Sequence, residues 1–135
     1  MSARRIDMSI RDQLRILVVD DMSTSRGLIT QALDGFGIRN VAAVDNGKEA
    51  LQSLAKSPVH LVISDYNMPE MDGLHLLQAM RAAPATAKTG FILITGRADQ
   101  VIMETGKKLG MNNYLLKPFE PAGLRTCIEA VVGRL

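Results

Sequence analysis

The chain has 135 residues, 47% of them hydrophobic and 22% charged, with a formal net charge of +2. That size and balance predict one domain able to bury roughly two thirds of its unfolded surface, and a single cysteine, Cys127, excludes a disulfide scaffold or a cysteine-based zinc module. The charge excess lies wholly in residues 1–15, where Arg4, Arg5, Arg11 and Arg15 outnumber Asp7 and Asp12, so the neutral remainder lacks the basic stripe that nucleic-acid binding requires.

Residues 1–13 read as a flexible, solvated arm and 14–135 as the domain. The arm has no continuous apolar stretch of a signal peptide. No later window is apolar enough to span a bilayer, so a reducing cytoplasm is the expected compartment and no membrane partner is expected.

Arg15–Asp20 is a short apolar, β-branched run ending in carboxylates, which predicts a strand buried on both faces. Helical spacing follows: Ser25, Leu28, Ile29, Ala32, Leu33 and Phe36 share one face, with Ser23 or Thr24 as N-cap and Gly35 or Gly37 as the stop. A weaker strand at Val41–Val44 leads to a helix carrying Ala50, Leu51, Leu54 and Ala55 inward, stopped by Pro58. His60–Asp65 is the next buried strand. Asp72–Ala83 reads as a helix with Leu74, Leu77 and Met80 inward, ended by Pro84, and Phe91–Thr95 as the fourth strand. A helix near Asp99–Leu109 contains Gly106, a destabilising residue there. Asn113–Lys117 forms the fifth strand, and the last helix presents Leu124, Cys127, Ile128, Val131, Val132 and Leu135 on one face.

Five strands alternating with five helices predict an α/β fold: a doubly wound parallel sheet joined by right-handed crossovers. Such sheets bind ligands beyond the carboxyl ends of their strands, where the strand order switches. Polar residues stand at those ends: Asp20 and Asp21 after the first strand, Asp65 after the third, Thr95 after the fourth, Lys117 after the fifth. Each alone has an ordinary explanation as a helix cap or a solvated charge. Together, three converging carboxylates repel one another unless a cation compensates. Hard oxygen ligands in an open site suit Mg²⁺ better than zinc or calcium.

These residues closely resemble the receiver domain of two-component response regulators, in particular the stand-alone chemotaxis receivers of the CheY type. The likeness covers about Arg15 to Leu135. It rests on Ile-Leu-Val-Val-Asp20-Asp21, on Ser64-Asp65-Tyr66-Asn67-Met68-Pro69-Glu70-Met71-Asp72-Gly73, on Ile94-Thr95-Gly96 and on Tyr114-Leu115-Leu116-Lys117-Pro118-Phe119. Four motifs in order, at the expected spacing, make a specific signal.

The resemblance implies a flavodoxin-like fold with strand order 2-1-3-4-5. It implies that Asp65 accepts a phosphoryl group from a histidine kinase, that Asp21, Asp65 and the backbone carbonyl of Asn67 bind Mg²⁺, and that Asp20 holds the ion mainly through water. Thr95, the Gly96 amide and Lys117 would bind the phosphoryl oxygens, a task of positioning and charge neutralisation. The Lys117–Pro118 peptide would be cis. Thr95 and Tyr114 resemble a switch pair in which the ring turns inward on phosphorylation, and the fourth helix, fifth strand and fifth helix form the family's usual partner face. A chemotaxis kinase and a flagellar switch protein are the implied partners, and a monomer the implied state. Arg97 departs from a position that is often acidic and flanks the path of the hydrolytic water.

Other readings weigh less. A phosphate sink would keep this chemistry without an output target. Phosphatases with an aspartyl nucleophile usually carry a second carboxylate two residues later, where this chain has Asn67. A flavin phosphate at Ser23-Thr24-Ser25 would be repelled by Asp20 and Asp21. The sequence ends with the last helix, so output is expected from the receiver fold itself or from a partner. His60 and His75 lack neighbouring metal ligands, the eight methionines are scattered as core filling, and Cys127 is expected to be buried and unreactive.

Overall fold

The computed structural model describes residues 9–97 and 99–135. Its strands are β1 (Arg15–Val19), β2 (Asn40–Val44), β3 (Leu61–Asp65), β4 (Gly90–Thr95) and β5 (Asn113–Leu116); its helices are α1 (Ile10–Gln13), α2 (Ser23–Gly35), α3 (Gly47–Lys56), α4 (Gly73–Ala82), α5 (Gln100–Lys108) and α6 (Pro121–Val132). The strands form one sheet in the order β2-β1-β3-β4-β5, every pair parallel. This is the doubly wound α/β fold expected from the alternation of apolar runs and helical periods.

The three central strands are apolar along most of their length because both sheet faces are covered, and their buried polar residues Ser64, Asp65 and Thr95 fall at the carboxyl ends. Alternate residues feed two cores. Ile16, Val18, Leu61, Ile63, Ile92 and Ile94 pack with Ile29 and Leu33 of α2 and Leu124 and Ile128 of α6. Leu17, Val19, Val62, Phe91 and Leu93 pack on the other face with α3, α4 and α5 through Leu54, Leu77, Met80 and Ile102. Each such side chain contributes about 1.5–3 kcal/mol on burial. The edge strands β2 and β5 are only partly covered. Among the described residues no helix is long and apolar enough to cross a membrane.

Several local expectations are corrected. The turn Ile10–Gln13 is a sixth helix, too short to show a period in the sequence. The Leu14 amide donates to the Ile10 carbonyl at 2.9 Å, the Ser9 hydroxyl donates to Asp12 Oδ2 at 2.8 Å, and Leu14 is buried in the core. The rest of the arm, residues 1–8, lies outside the described residues.

Helix α2 has Met22 at its N-cap position and no side-chain cap, so neither Ser23 nor Thr24 serves. Asp20 Oδ1 instead accepts from the Met22 amide at 3.0 Å. Leu28 is 59% exposed rather than inward, and Ala55 is exposed too; both lie at the margins of their helical stripes, where the sheet no longer covers them. The strands read as ending at Asp20 and Lys117 stop at Val19 and Leu116. His60 precedes β3 rather than opening it: its Nδ1 accepts from the Arg15 amide at 3.0 Å. Gly106 is accounted for by packing, since a Cβ there would lie 2.8 Å from Met111 Sδ.

Gly27 has no such neighbour. A Cβ there meets nothing within 4 Å, although the residue lies inside α2. Gly27→Ala is therefore expected to raise stability by about 0.5–1 kcal/mol, read as an increase in the urea midpoint with an unchanged slope.

Candidate functional site

Parallel pairing brings the carboxyl ends of β1, β3, β4 and β5 to one edge of the sheet. The registers Val19↔Ser64, Asp65↔Ile94 and Thr95↔Leu116 set Asp20, Asp65, Thr95 and Lys117 side by side on successive strands or just beyond them. Carboxylate oxygens of Asp20, Asp21 and Asp65 lie within 4.8 Å of one another. Asp20 and Asp65 are buried, whereas Asp21 is exposed.

Asp20 is held by its surroundings. Its amide donates to the Val44 carbonyl at 3.1 Å, and its own carbonyl accepts from the Arg26 guanidinium at 2.8 Å. Oδ1 accepts from Met22, but Oδ2 is fully buried without a hydrogen-bond partner among the described residues. A buried carboxylate oxygen in that condition is costly. The nearest cation is Lys117, whose Nζ is 3.7 Å from Asp20 Oδ2 and 3.2 Å from Asp65 Oδ1.

Burial pushes the Asp65 carboxyl above its ordinary range; the Lys117 charge opposes that rise and the Asp20 charge adds to it. A hard divalent cation would satisfy Asp20 Oδ2 and relieve the repulsion between the carboxylates. The residues present therefore fit Mg²⁺.

The remaining positions surround this cluster. Lys117 is anchored by its amide, which donates to the Thr95 carbonyl at 2.8 Å, and the Lys117–Pro118 peptide is cis. Thr95 is buried; its Oγ1 accepts from the Arg97 amide at 3.1 Å. A Cβ at Gly96 would meet no described residue within 4 Å, so it adds no crowding beside Thr95. Asn67 lies exposed in the loop after β3. That loop is tied by the Tyr66 amide to the Ile94 carbonyl at 2.9 Å, and by the Gly73 amide to the Tyr66 carbonyl at 2.9 Å. Tyr114 pairs with Leu93 across β4 and β5, two residues from Thr95, and its side chain is 42% exposed.

Three contributors went unread in the sequence. Arg26 holds the Asp20 carbonyl, the buried Ser64 hydroxyl donates to the Asp65 carbonyl at 2.9 Å, and Asp99 caps α5. Ser64 leaves a trace, as a hydroxyl inside an otherwise apolar strand. Asp99 leaves another, as an acid just before a helical run. Outside the site, burial pushes the Cys127 thiol up to about 11, which leaves it inert. His60 and His75 make structural contacts, the latter with Asp72 at 3.0 Å.

A sequence profile of the response regulator receiver domain matches residues 16–129. The chain is 41% identical over 128 residues to a probable chemotaxis protein CheY of Rhizobium etli, covering 95% of this chain and 99% of that one. It is 38% identical over 121 residues to chemotaxis protein CheY1 of Helicobacter pylori, covering 89% and 98%. Among solved structures, chemotaxis protein CheY4 of Vibrio cholerae superposes with a TM-score of 0.83 at 30% identity, over 87% of this chain and 98% of that one. The receiver domain of a sensor histidine kinase from Pseudomonas aeruginosa, solved with a magnesium ion coordinated in its active-site cleft, superposes with a TM-score of 0.80 at 29% identity, over 89% and 98%.

Proposed function

The chain belongs to the response regulator receiver family, as a CheY-like regulator of chemotaxis, and from that premise we propose that Asp65 is its phosphoryl acceptor. The observation that carries this reading is the Asp65 carboxylate, buried at the strand edge, 3.2 Å from Lys117 Nζ and beside Asp20 and Asp21. One Asp65 oxygen attacks the phosphorus of a kinase phosphohistidine. The new O–P bond forms as the P–N bond breaks, and the imidazole leaves with the bonding electron pair and is reprotonated.

Lys117, the Thr95 hydroxyl and the Gly96 amide bind the phosphoryl oxygens as the phosphoryl group arrives. Thr95 Oγ1 accepts from the Arg97 amide, and its hydroxyl proton can be donated to a phosphoryl oxygen. Asp20, Asp21, Asp65 and the Asn67 carbonyl would hold Mg²⁺. When bound, the ion neutralises the carboxylates and the equatorial phosphoryl charge. Asn67, where a phosphatase would need a general acid, keeps the chain a signalling protein that promotes only its own phosphorylation and dephosphorylation.

Tyr114 and Thr95 then serve as the switch pair, and the partner face, called the fourth helix, fifth strand and fifth helix from sequence, corresponds to α5, β5 and α6. Val101, Tyr114 and Leu116 are exposed there, a set of apolar contacts suited to a protein partner. A chemotaxis histidine kinase supplies the phosphoryl group and a flagellar switch protein receives the signal. The receiver unit is 14–135, preceded by the arm 1–13, and it works in the cytoplasm as a monomer.

The test is incorporation of labelled phosphoryl from a small acyl-phosphate donor. Labelling is expected with Mg²⁺, to fall to background with chelator, and to be released by hydroxylamine, as an aspartyl phosphate must be. Metal-independent or hydroxylamine-stable label would reject Asp65 as the acceptor.

A further inference from the structure

We propose that Arg97 is a phosphoryl-responsive cation that trades Asp99 for the phosphoryl group on Asp65, and so links the acceptor directly to the first turn of α5. The proposal rests on the reading of Asp65 as acceptor and assigns a second cationic side chain, beside Lys117, to the same site.

The geometry begins at Thr95. The Arg97 amide donates to Thr95 Oγ1 at 3.1 Å, which fixes the root of the arginine at the end of β4, and β4 pairs with β3 through Asp65↔Ile94. A Cβ at the intervening Gly96 would touch none of the described residues, so Gly96 leaves room beside it. The Arg97 side chain is 64% exposed and, among the described residues, its ion pair is with Asp99, Nη2 to Oδ2 at 3.3 Å. An exposed pair of that kind is weak and easily exchanged. A phosphoryl dianion offers three strong acceptor oxygens, which a guanidinium fork matches better than it matches one carboxylate oxygen.

Room for a second cationic side chain, beyond Lys117 and the metal, follows from the charges. Lys117 is already shared between Asp20 and Asp65, and the Arg26 guanidinium is engaged by the Asp20 carbonyl. Phosphorylation adds negative charge to this cluster, and Arg97 is the guanidinium tethered beside it.

The same exchange reaches α5. Asp99 has two duties: Oδ2 receives Arg97, while Oδ1 accepts from the amides of Val101 at 2.8 Å and Ile102 at 3.3 Å. When Arg97 leaves, Oδ2 loses its partner and the carboxylate charge beside those amides is no longer compensated, so the cap rearranges. Val101, 71% exposed, stands on that turn, where α5 begins the partner face. The phosphoryl state is thereby written into the helix cap without passing through Tyr114.

Beryllofluoride with Mg²⁺, a phosphoryl mimic, tests this in the full chain, with affinity read by calorimetry and backbone amides by NMR. Arg97→Ala is expected to weaken binding about three- to tenfold, with Arg97→Lys between it and wild type because it keeps the charge without the fork. Asp99→Asn retains a capping oxygen but frees Arg97, and should tighten binding severalfold. The same change in an Arg97→Ala background should do nothing. Val101 and Ile102 amides should shift on binding in wild type and hardly move in Arg97→Ala. Equal affinity in Arg97→Ala, equal Val101 shifts, or additive effects in the double variant would each overturn the exchange. Absence of beryllofluoride binding in wild type, or binding that survives Asp65→Asn, would instead reject the acceptor assignment on which the exchange depends.

Discussion

Asp65→Asn is expected to abolish phosphoryl labelling and, in chelator at neutral pH, to raise the melting temperature. The amide keeps the shape of the carboxylate but its nitrogen and oxygen are poor nucleophiles, so no O–P bond forms. Stability moves the other way because burial is the largest influence on this carboxyl and Asp20 repels it further; both disfavour the charged form that asparagine removes. Lys117 loses one partner yet remains 3.7 Å from Asp20 Oδ2.

The sign of the pH effect follows. A folded-state value raised above the ordinary 3.8 means the folded protein holds this proton more tightly than the unfolded chain does. The wild type therefore loses stability as pH climbs from 3.8 through the raised value and carries the full deficit above it. Thermal melts of both proteins from pH 4 to 7 should diverge with rising pH, the variant being the more stable. Residual labelling at the wild-type rate, or a variant that melts lower at pH 7, would contradict the account. Mg²⁺ should narrow the gap by stabilising the wild type through mass action.

Gly73→Ala should cost about 1–3 kcal/mol by overpacking, roughly 4–10 °C in melting temperature for a domain of this size. A Cβ on Gly73 would stand 2.6 Å from the Asp65 carbonyl oxygen, 2.7 Å from Leu93 Cδ1 and 3.2 Å from Tyr66 Cα. Two of those atoms are backbone and cannot swing aside. Relief requires moving either the end of β3 or the first turn of α4, and the Gly73 amide bond to the Tyr66 carbonyl ties these together. Alanine's better helix propensity offsets less than 1 kcal/mol. The shift carries Asp65 with it, so labelling should also slow. Gly27→Ala, the same substitution in open space, is the contrast: one chain, one chemical change, opposite signs.

Much of this architecture is legible because its central strands are continuous apolar runs and its helices have clean periods. The site is legible for a related reason. Asp20, Asp65, Thr95 and Lys117 each interrupt or end an apolar run, and parallel topology turns sequence position at a strand end into spatial proximity. What stayed hidden depends on tertiary neighbours. Four residues cannot display helical periodicity, so Ile10–Gln13 gave no signal without the Leu14 pocket that holds it. Leu28 shares the spacing of the buried Ile29 and Leu33, but the width of the stripe that the sheet covers decides which of them is buried. Helix α2 begins after Met22 without a side-chain cap, and the Asp20 carboxylate instead fixes the turn that leads into it by accepting from the Met22 amide.

The small helix α1 has a practical consequence. Ile10 Cδ1 would lie 3.1 Å from a Cβ on Gly133, so the two ends of the described fold meet near His60, at the amino ends of the strands. Five strand residues, roughly 17 Å, separate that pole from the carboxylates. A fluorescent protein joined directly to Ser9 or to Leu135, the ends of the described fold, therefore leaves the approach to Asp65 open and registers little of what happens there. A short linker joining the two ends, with new termini cut in the loop after β2, would place a reporter at the acidic rim instead.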